Sequence, residues 1–310
     1  MHQRIRTSLP FVFLLSIAGS ALAGDSLEAR LRPLIDGFKG KVAIAVKNLN
    51  TGETFLWHEN DPMPTASLIK FPVMIEAYRQ SAEGKANLDA TITLKKEDKV
   101  PGSGILTYHF SEGASFPLKD AVHLMMVYSD NTATNLVVDK IGLPSTAATM
   151  EAMGFPNTKL HSKVYRRDTS VFPERSKEFG LGSTTAIDML RLLESLNKKE
   201  LVNKESSEAM LKHMLACDDP DKFPRFLPAG TKVAFKTGSV EGTRTAAGIL
   251  FGRRGPVAIC VLSSGHTDGR YAPDNAGNRL CADVAKAVYD YFPAAPKAAD
   301  APTEKAKANP

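Results

Sequence analysis

"TASLIKFPVMIEAY", Thr65–Tyr78, sets Ser67 three residues ahead of Lys70 at the head of an apolar run. The spacing behind the pair predicts a helix, and three residues are close to one turn, so both polar side chains fall on one face within hydrogen-bonding reach. A serine hydroxyl is a poor nucleophile until a base takes its proton. Lysine can be that base only where burial and a second cation lower its pKa. The plainer alternative makes Ser67 a helix cap worth about 1 kcal/mol, with Lys70 in water. Pro72 lies in the first turns, where a missing N–H costs least.

Two more short strings follow in order: "SDN" (Ser129, Asp130, Asn131) and "KTG" (Lys236, Thr237, Gly238). Each has a structural reading of its own, "SDN" as a cap and "KTG" as a turn, and each turns up by chance. The ordered triple is far more specific. Competing chemistries leave no trace: there is no HExxH, no P-loop, no GxSxG elbow, and the "GSG" at Gly102–Gly104 lacks the third glycine of a dinucleotide loop. The histidines show no metal-ligand spacing, so no metal and no organic cofactor is expected.

Outward from these strings the elements alternate in type. "SLEARLRPLIDGF" has helical spacing; "KVAIAVKNL" and "ETFLWH" flank "NTG" as a hairpin. Helical patterns fill the middle: "LKDAVHLMMVYS", "NTATNLVVDKI", "STAATMEAMG" and "TTAIDMLRLLESLN". Strands return in "KVAFKTG", "RTAAGILFG" and "PVAICVLSS", and "NRLCADVAKAVYDYF" closes as an amphipathic helix. Strands at both ends with helices between predict an α/β (α+β) fold, one sheet assembled from both ends with an all-helical lobe inserted, and a cleft at the seam.

With the three strings in this setting, the chain resembles the class A serine β-lactamases and the related penicillin-binding proteins from roughly Leu27 to Phe292. The resemblance implies a three-layer fold on an antiparallel five-stranded sheet. It implies Ser67 as a nucleophile that opens a β-lactam ring through an acyl-enzyme, with Lys70 as base and Lys236 as the second cation. Ser129 would pass a proton to the leaving nitrogen, Asp130 would hold its turn together, and Asn131 would bind the substrate's amide side chain. The backbone N–H groups of Ser67 and Ser239 would form the oxyanion hole, and Thr237 and Arg244 would take the substrate carboxylate. Gly238 completes the strand motif.

One part of the family pattern is missing. The glutamate that activates the deacylating water, within an E-x-x-L-N string, is expected on "HSKVYRRD" (His161–Asp168), which holds no Glu. The nearest carboxylates are Asp168, Glu174 and Glu178, of which Glu174 is the candidate. The gap keeps open a cell-wall D-alanyl peptidase, an esterase or a penicillin-binding protein with slow deacylation. It also leaves a sensor that stays acylated, although such sensors are usually tethered to a membrane protein. No Cys flanks Ser67 or precedes Ser129, so the disulfide of many relatives has no counterpart.

The ends read differently from the middle. Arg4 and Arg6, an apolar run and Ala21–Ala23 predict a signal peptide over residues 1–23, hence a periplasmic or secreted hydrolase domain over 24–293 without a lipid or membrane anchor. The Ala/Pro/Lys stretch 294–310 is expected to be disordered. Setting both ends aside reduces the formal charge of +5 to about +2, too little for a nucleic-acid partner. The resemblance implies instead a small β-lactam or acyl peptide as the partner. Cys217, Cys260 and Cys281 are too far apart for a metal site and read as buried thiols. Without heptads or another assembly signal, a monomer is expected.

Overall fold

Two strands early in the chain and three late ones share one antiparallel sheet in the computed structural model, which describes residues 26–292 apart from 253. The expected signal peptide and tail lie outside the described residues. In chain order the strands are β1 (Lys41–Asn48), β2 (Thr54–Trp57), β3 (Val233–Val240), β4 (Thr243–Gly252) and β5 (Gly255–Ser264). Their spatial order is β2-β1-β5-β4-β3. The early and late parts join where β1 pairs with β5, from Lys41 opposite Ser264 to Asn48 opposite Val257.

Both faces of the sheet are covered, so β1 is buried continuously from Val42 to Val46. Val42, Ile44 and Val46 face α1 (Leu27–Asp36) and the closing helix, Ala276–Tyr291, through a core that includes Leu31, Leu280 and Val284. Ser26 caps α1 by accepting from the Ala29 N–H at 3.1 Å. Ala43 and Ala45 turn the other way, where small side chains admit the helical lobe. That lobe comprises α2 (Lys70–Ala82), α3 (Leu118–Val127), α4 (Asn131–Ile141), α5 (Leu143–Ala152), α6 (Ala186–Asn197) and α7 (Lys204–Leu215). The closing helix is thus α8, and the three expected layers are α1 with α8, the sheet, and the lobe.

Helix α7 escapes the periodicity reading because its inner face mixes Ser206 and Ser207 with Met210 and Met214, which blurs the apolar repeat. Asn203 starts it by accepting from the Ser206 N–H at 2.8 Å. Within the lobe, the Glu76 carboxylate of α2 is fully buried and takes hydrogen bonds from Arg79, Gln80 and Thr149, tying α2 to α5. Among the described residues no helix is long and apolar enough to cross a membrane. Strand β3 is one of the two edges of the sheet, and it lies against the turn that carries Ser67.

Candidate active site

Ser67 lies in a 3-10 turn, Ala66–Ile69, that runs directly into α2. At three residues per turn, side chains at i and i+3 eclipse, which aligns Ser67 with Lys70 as the spacing predicts. Ile69, the residue before α2, makes no side-chain cap. Ala66 holds φ at +46°, and Ser129 (+53°) and Tyr165 (+58°) are also left-handed; all three border one cleft. Such backbone is unfavourable for residues with a side chain and gathers where the surrounding fold dictates geometry.

Lys70 is completely buried. Its Nζ donates to the Ser129 carbonyl at 2.7 Å and to Asn131 Oδ1 at 2.9 Å, with Ser129 Oγ at 3.3 Å. Lys236, equally buried, donates from Nζ to the same Ser129 Oγ at 3.1 Å and to its neighbour's carbonyl, that of Thr237, at 3.0 Å. One hydroxyl therefore bridges two lysines drawn from different layers. Burial first, and then the Lys236 charge, push the Lys70 amine well below the ordinary lysine range, against a smaller pull from Asp130. Burial also lowers Lys236. The expected Ser67–Lys70 hydrogen bond is not formed; Lys70 Nζ turns instead to Ser129 and Asn131. Ser67 Oγ has no hydrogen-bond partner among the described residues and borders the cleft.

Asp130 shows that the capping reading and the motif reading of "SDN" are compatible. Its carboxylate caps α4 through the Ala133 N–H (2.8 Å) and takes the N–H groups of Ile105 (2.7 Å) and Leu106 (2.9 Å). Asn131 donates from its side chain to the Pro101 carbonyl and from its backbone to the Ser103 carbonyl, both at 3.0 Å. The "GSG" stretch set aside as a dinucleotide loop is thus a wall of the cleft. Gly104 is required there, since a Cβ would lie 2.3 Å from Asp130 Cγ. Gly238 is required for the same kind of reason: a Cβ would lie 2.3 Å from the Thr65 carbonyl oxygen and 2.8 Å from the Ser67 nitrogen. The edge strand and the serine turn can approach only because that Cβ is absent.

Around Ser67 the cleft divides in two. A small polar chamber of about 170 Å³ lies between Ser67, Ser129, Asp219, Lys236 and Thr237. A chamber of about 650 Å³ opens on the other side toward Asn131, Val164, Tyr165, Arg167 and Tyr271. Ser239 borders both, beside Ser67.

Two expected placements are corrected. Arg244 borders neither chamber: it is 1% exposed, its guanidinium donates to the carbonyls of Val240, Thr243 (2.9 Å) and Arg270 (2.7 Å), and it lies 4.8 Å from the Tyr271 ring centre. Thr237 Oγ1 instead donates to Asp219 Oδ2 at 2.7 Å, and the buried Lys222 donates to that same oxygen at 2.8 Å and to Ser239 Oγ at 3.0 Å. Glu174 does not border the cleft either. Its side chain is 84% exposed on the short helix Pro173–Phe179, paired with Lys177 at 2.7 Å. Asp168 is exposed and held by Arg166, and Glu178 is exposed.

No Asp or Glu is among the described residues bordering the large chamber. Within the stretch where the water-activating glutamate is expected, His161–Asp168, Val164 is fixed by Asn135 through its N–H (2.8 Å) and carbonyl (3.0 Å). The sequence reading also missed Ser103, Asp219, Lys222, Tyr165 and Tyr271, which sit in loops without periodicity. The one visible hint was the charge cluster of "CDDPDK" (Cys217–Lys222) close upstream of KTG. All three cysteines are free; Cys260 and Cys281 are buried as expected, while Cys217 is half-buried beside the small chamber. Among the described residues no group of His, Cys, Asp and Glu could hold a metal.

A sequence profile of the beta-lactamase enzyme family matches residues 26–292. The chain is 27% identical to a beta-lactamase of Bacillus licheniformis over 82% of its own length and 80% of that protein's. It is 22% identical to the extended-spectrum beta-lactamase PER-1 of Pseudomonas aeruginosa, over 86% and 87%. The crystal structure of a beta-lactamase from Sphaerobacter thermophilus superposes with a TM-score of 0.73 at 28% identity, covering 84% of this chain and 95% of that one. The structure of PBP-A shares the fold, with a TM-score of 0.73 at 22% identity over 85% and 94%.

Proposed function

The chain belongs to the beta-lactamase enzyme family and is a β-lactamase-like serine hydrolase, and we propose that Ser67 is its nucleophile, activated by Lys70, with Ser129 as the proton relay. The bridge from Ser129 Oγ to both lysines, beside a serine hydroxyl that has no partner among the described residues, carries this reading. A neutral Lys70 keeps two N–H bonds, which match its two short contacts to Ser129 O and Asn131 Oδ1, and has a lone pair free to take the Ser67 proton. As Ser67 Oγ bonds to the carbonyl carbon, that proton passes to Lys70. When the carbon–nitrogen bond breaks, Ser129 gives its proton to the nitrogen and regains one from Lys70. Lys236 steadies the Ser129 oxygen throughout. The N–H groups of Ser67 and Ser239 serve the developing oxyanion, and Asn131 faces the acyl side chain in the large chamber.

Hydrolysis of the acyl-enzyme is the weaker half. With no carboxylate bordering the large chamber among the described residues, water has no evident base there. This favours a second reading within the superfamily: a penicillin-binding enzyme or D-alanyl peptidase that β-lactams acylate quickly and leave slowly. Intact-protein mass spectrometry with benzylpenicillin, from seconds to hours, tests both. An adduct on Ser67 that vanishes as product accumulates supports the β-lactamase; one that persists supports the second reading. No adduct, or an equal one on Ser67→Ala, overturns the assignment of Ser67.

The same reading takes residues 1–23 as a signal peptide, and a monomer working in the periplasm or outside the cell. The N-terminal pattern of Arg4, Arg6 and the small residues to Ala23 supports it. Cleavage after Ala23, read by the mass of the exported protein, and a sedimentation measurement test these points.

A further inference from the structure

The large chamber carries charge of one sign. Among the described residues no carboxylate borders it, whereas Lys163 and Arg167 both do. Their situations differ. The Lys163 ammonium is paired with the Asp139 carboxylate. Asp168, the acid next to Arg167, is held by Arg166, with Nε at 3.0 Å from Oδ1 and Nη2 at 2.9 Å from Oδ2. That leaves the exposed Arg167 guanidinium without a hydrogen bond or ion pair among the described residues. The surfaces beside it are apolar and aromatic: Val164 and Leu181 border the same space as Tyr165 and Tyr271, which are 63% and 73% exposed. Tyr165 is held there at φ +58°, against its backbone preference, and its hydroxyl lies over Gly102, where a Cβ would stand 2.9 Å from it.

We propose that the acyl side chain of the substrate has an apolar body and an anionic outer end, and that Arg167 selects it from the rim of the large chamber. The assignment rests on the reading of Ser67 as the nucleophile, which with Asn131 places the acyl side chain in that chamber. A cleft lined by one sign of charge draws in the opposite sign, and here no acid opposes the attraction. Arginine suits a carboxylate in particular, since it can offer two parallel N–H groups. A cationic side chain would meet Arg167 with no carboxylate in the chamber to offset it. Because the guanidinium is exposed, water and salt screen it, and the selectivity expected is several-fold in rate, not an absolute requirement.

Three penicillins with the same leaving portion test this, differing only at the para position of a phenylacetyl side chain: carboxyl, hydrogen or aminomethyl. Intact-protein mass spectrometry at low ionic strength gives the second-order rate constant for adduct formation with each. The decisive quantity is the ratio of the carboxyl to the aminomethyl compound, in the wild type and in Arg167→Gln, since a general defect slows all three and leaves the ratio in place. The wild type is expected to favour the carboxyl compound by about fivefold or more, with the hydrogen compound between, and Arg167→Gln to lower the ratio by roughly threefold or more. A wild-type ratio of about one or less overturns the proposal without any substitution, and a ratio unmoved by Arg167→Gln overturns it as well. No adduct with any of the three, or an equal adduct on Ser67→Ala, refutes the nucleophile assignment itself and the side-chain assignment with it.

Discussion

The two walls of the cleft are built to different standards. On one side, Ser67, Lys70, Ser129 and Lys236 come from a 3-10 turn, a helix, a left-handed loop residue and a sheet edge, yet one hydroxyl is within 3.3 Å of both lysine nitrogens. On the other, residues 161–180 are equally well anchored, with Val164 fixed at both backbone groups by Asn135, but they bring no carboxylate to the chamber. Anchoring and chemical equipment are therefore separable. A loop can be held in place by its backbone while its side chains carry none of the groups that hydrolysis of an acyl-enzyme needs.

The contrast can be broken most completely at Ser67: Ser67→Ala is expected to abolish the penicillin adduct, read by intact mass. Next in size, Lys70→Met is expected to slow acylation by about 10²–10⁴-fold, the usual worth of a positioned base. In the wild type the acylation rate should rise with pH as the Lys70 ammonium loses its proton, and that rise should sit well below the ordinary lysine range because burial and Lys236 depress it. Removing one cause tests the sign: Lys236→Met should move the rise to higher pH, in stopped-flow acylation profiles.

On the opposite wall, Val164→Glu would place a carboxylate on a fixed backbone in the chamber that Ser67 borders. Adduct lifetime is expected to fall by about 10²-fold, the low end for a general base; an unchanged lifetime would mean that this wall lacks more than a carboxylate. Asn135→Ala should lower the unfolding free energy by about 2 kcal/mol, since two buried backbone partners are lost, as read by denaturant titration. Smallest of all, Glu174→Gln should leave the adduct lifetime unaltered, because its exposed pair with Lys177 stands outside the cleft.

What could be read from residues alone follows the same division. The sheet and most helices were legible because burial imposes a period on them: β1 and β5 show up as apolar runs, and α4 as a capped amphipathic stretch. Ser67 and Lys70 were legible because they stand one turn apart, and Ser129 and Lys236 through the ordered strings and the family resemblance those strings carry. Arg244 was misplaced because its residue type says nothing of which way a guanidinium turns, and here three carbonyls outbid the cleft. Asp219 and Lys222 were invisible for a related reason. Their meaning lies in contacts to Thr237 and Ser239 across a loop, and neither period nor motif encodes a contact of that kind.

A ribosome delivers β1 long before β5, to which it must pair from Lys41 opposite Ser264 to Asn48 opposite Val257. At common elongation rates the interval is on the order of ten seconds or more. Until it ends, β1 and β2 are only a hairpin, marginal by itself in water, and the edge strand carrying Lys236 has no sheet to be the edge of. The site is therefore expected to assemble only once β5 joins β1 to β4, however early Ser67 and Lys70 emerge.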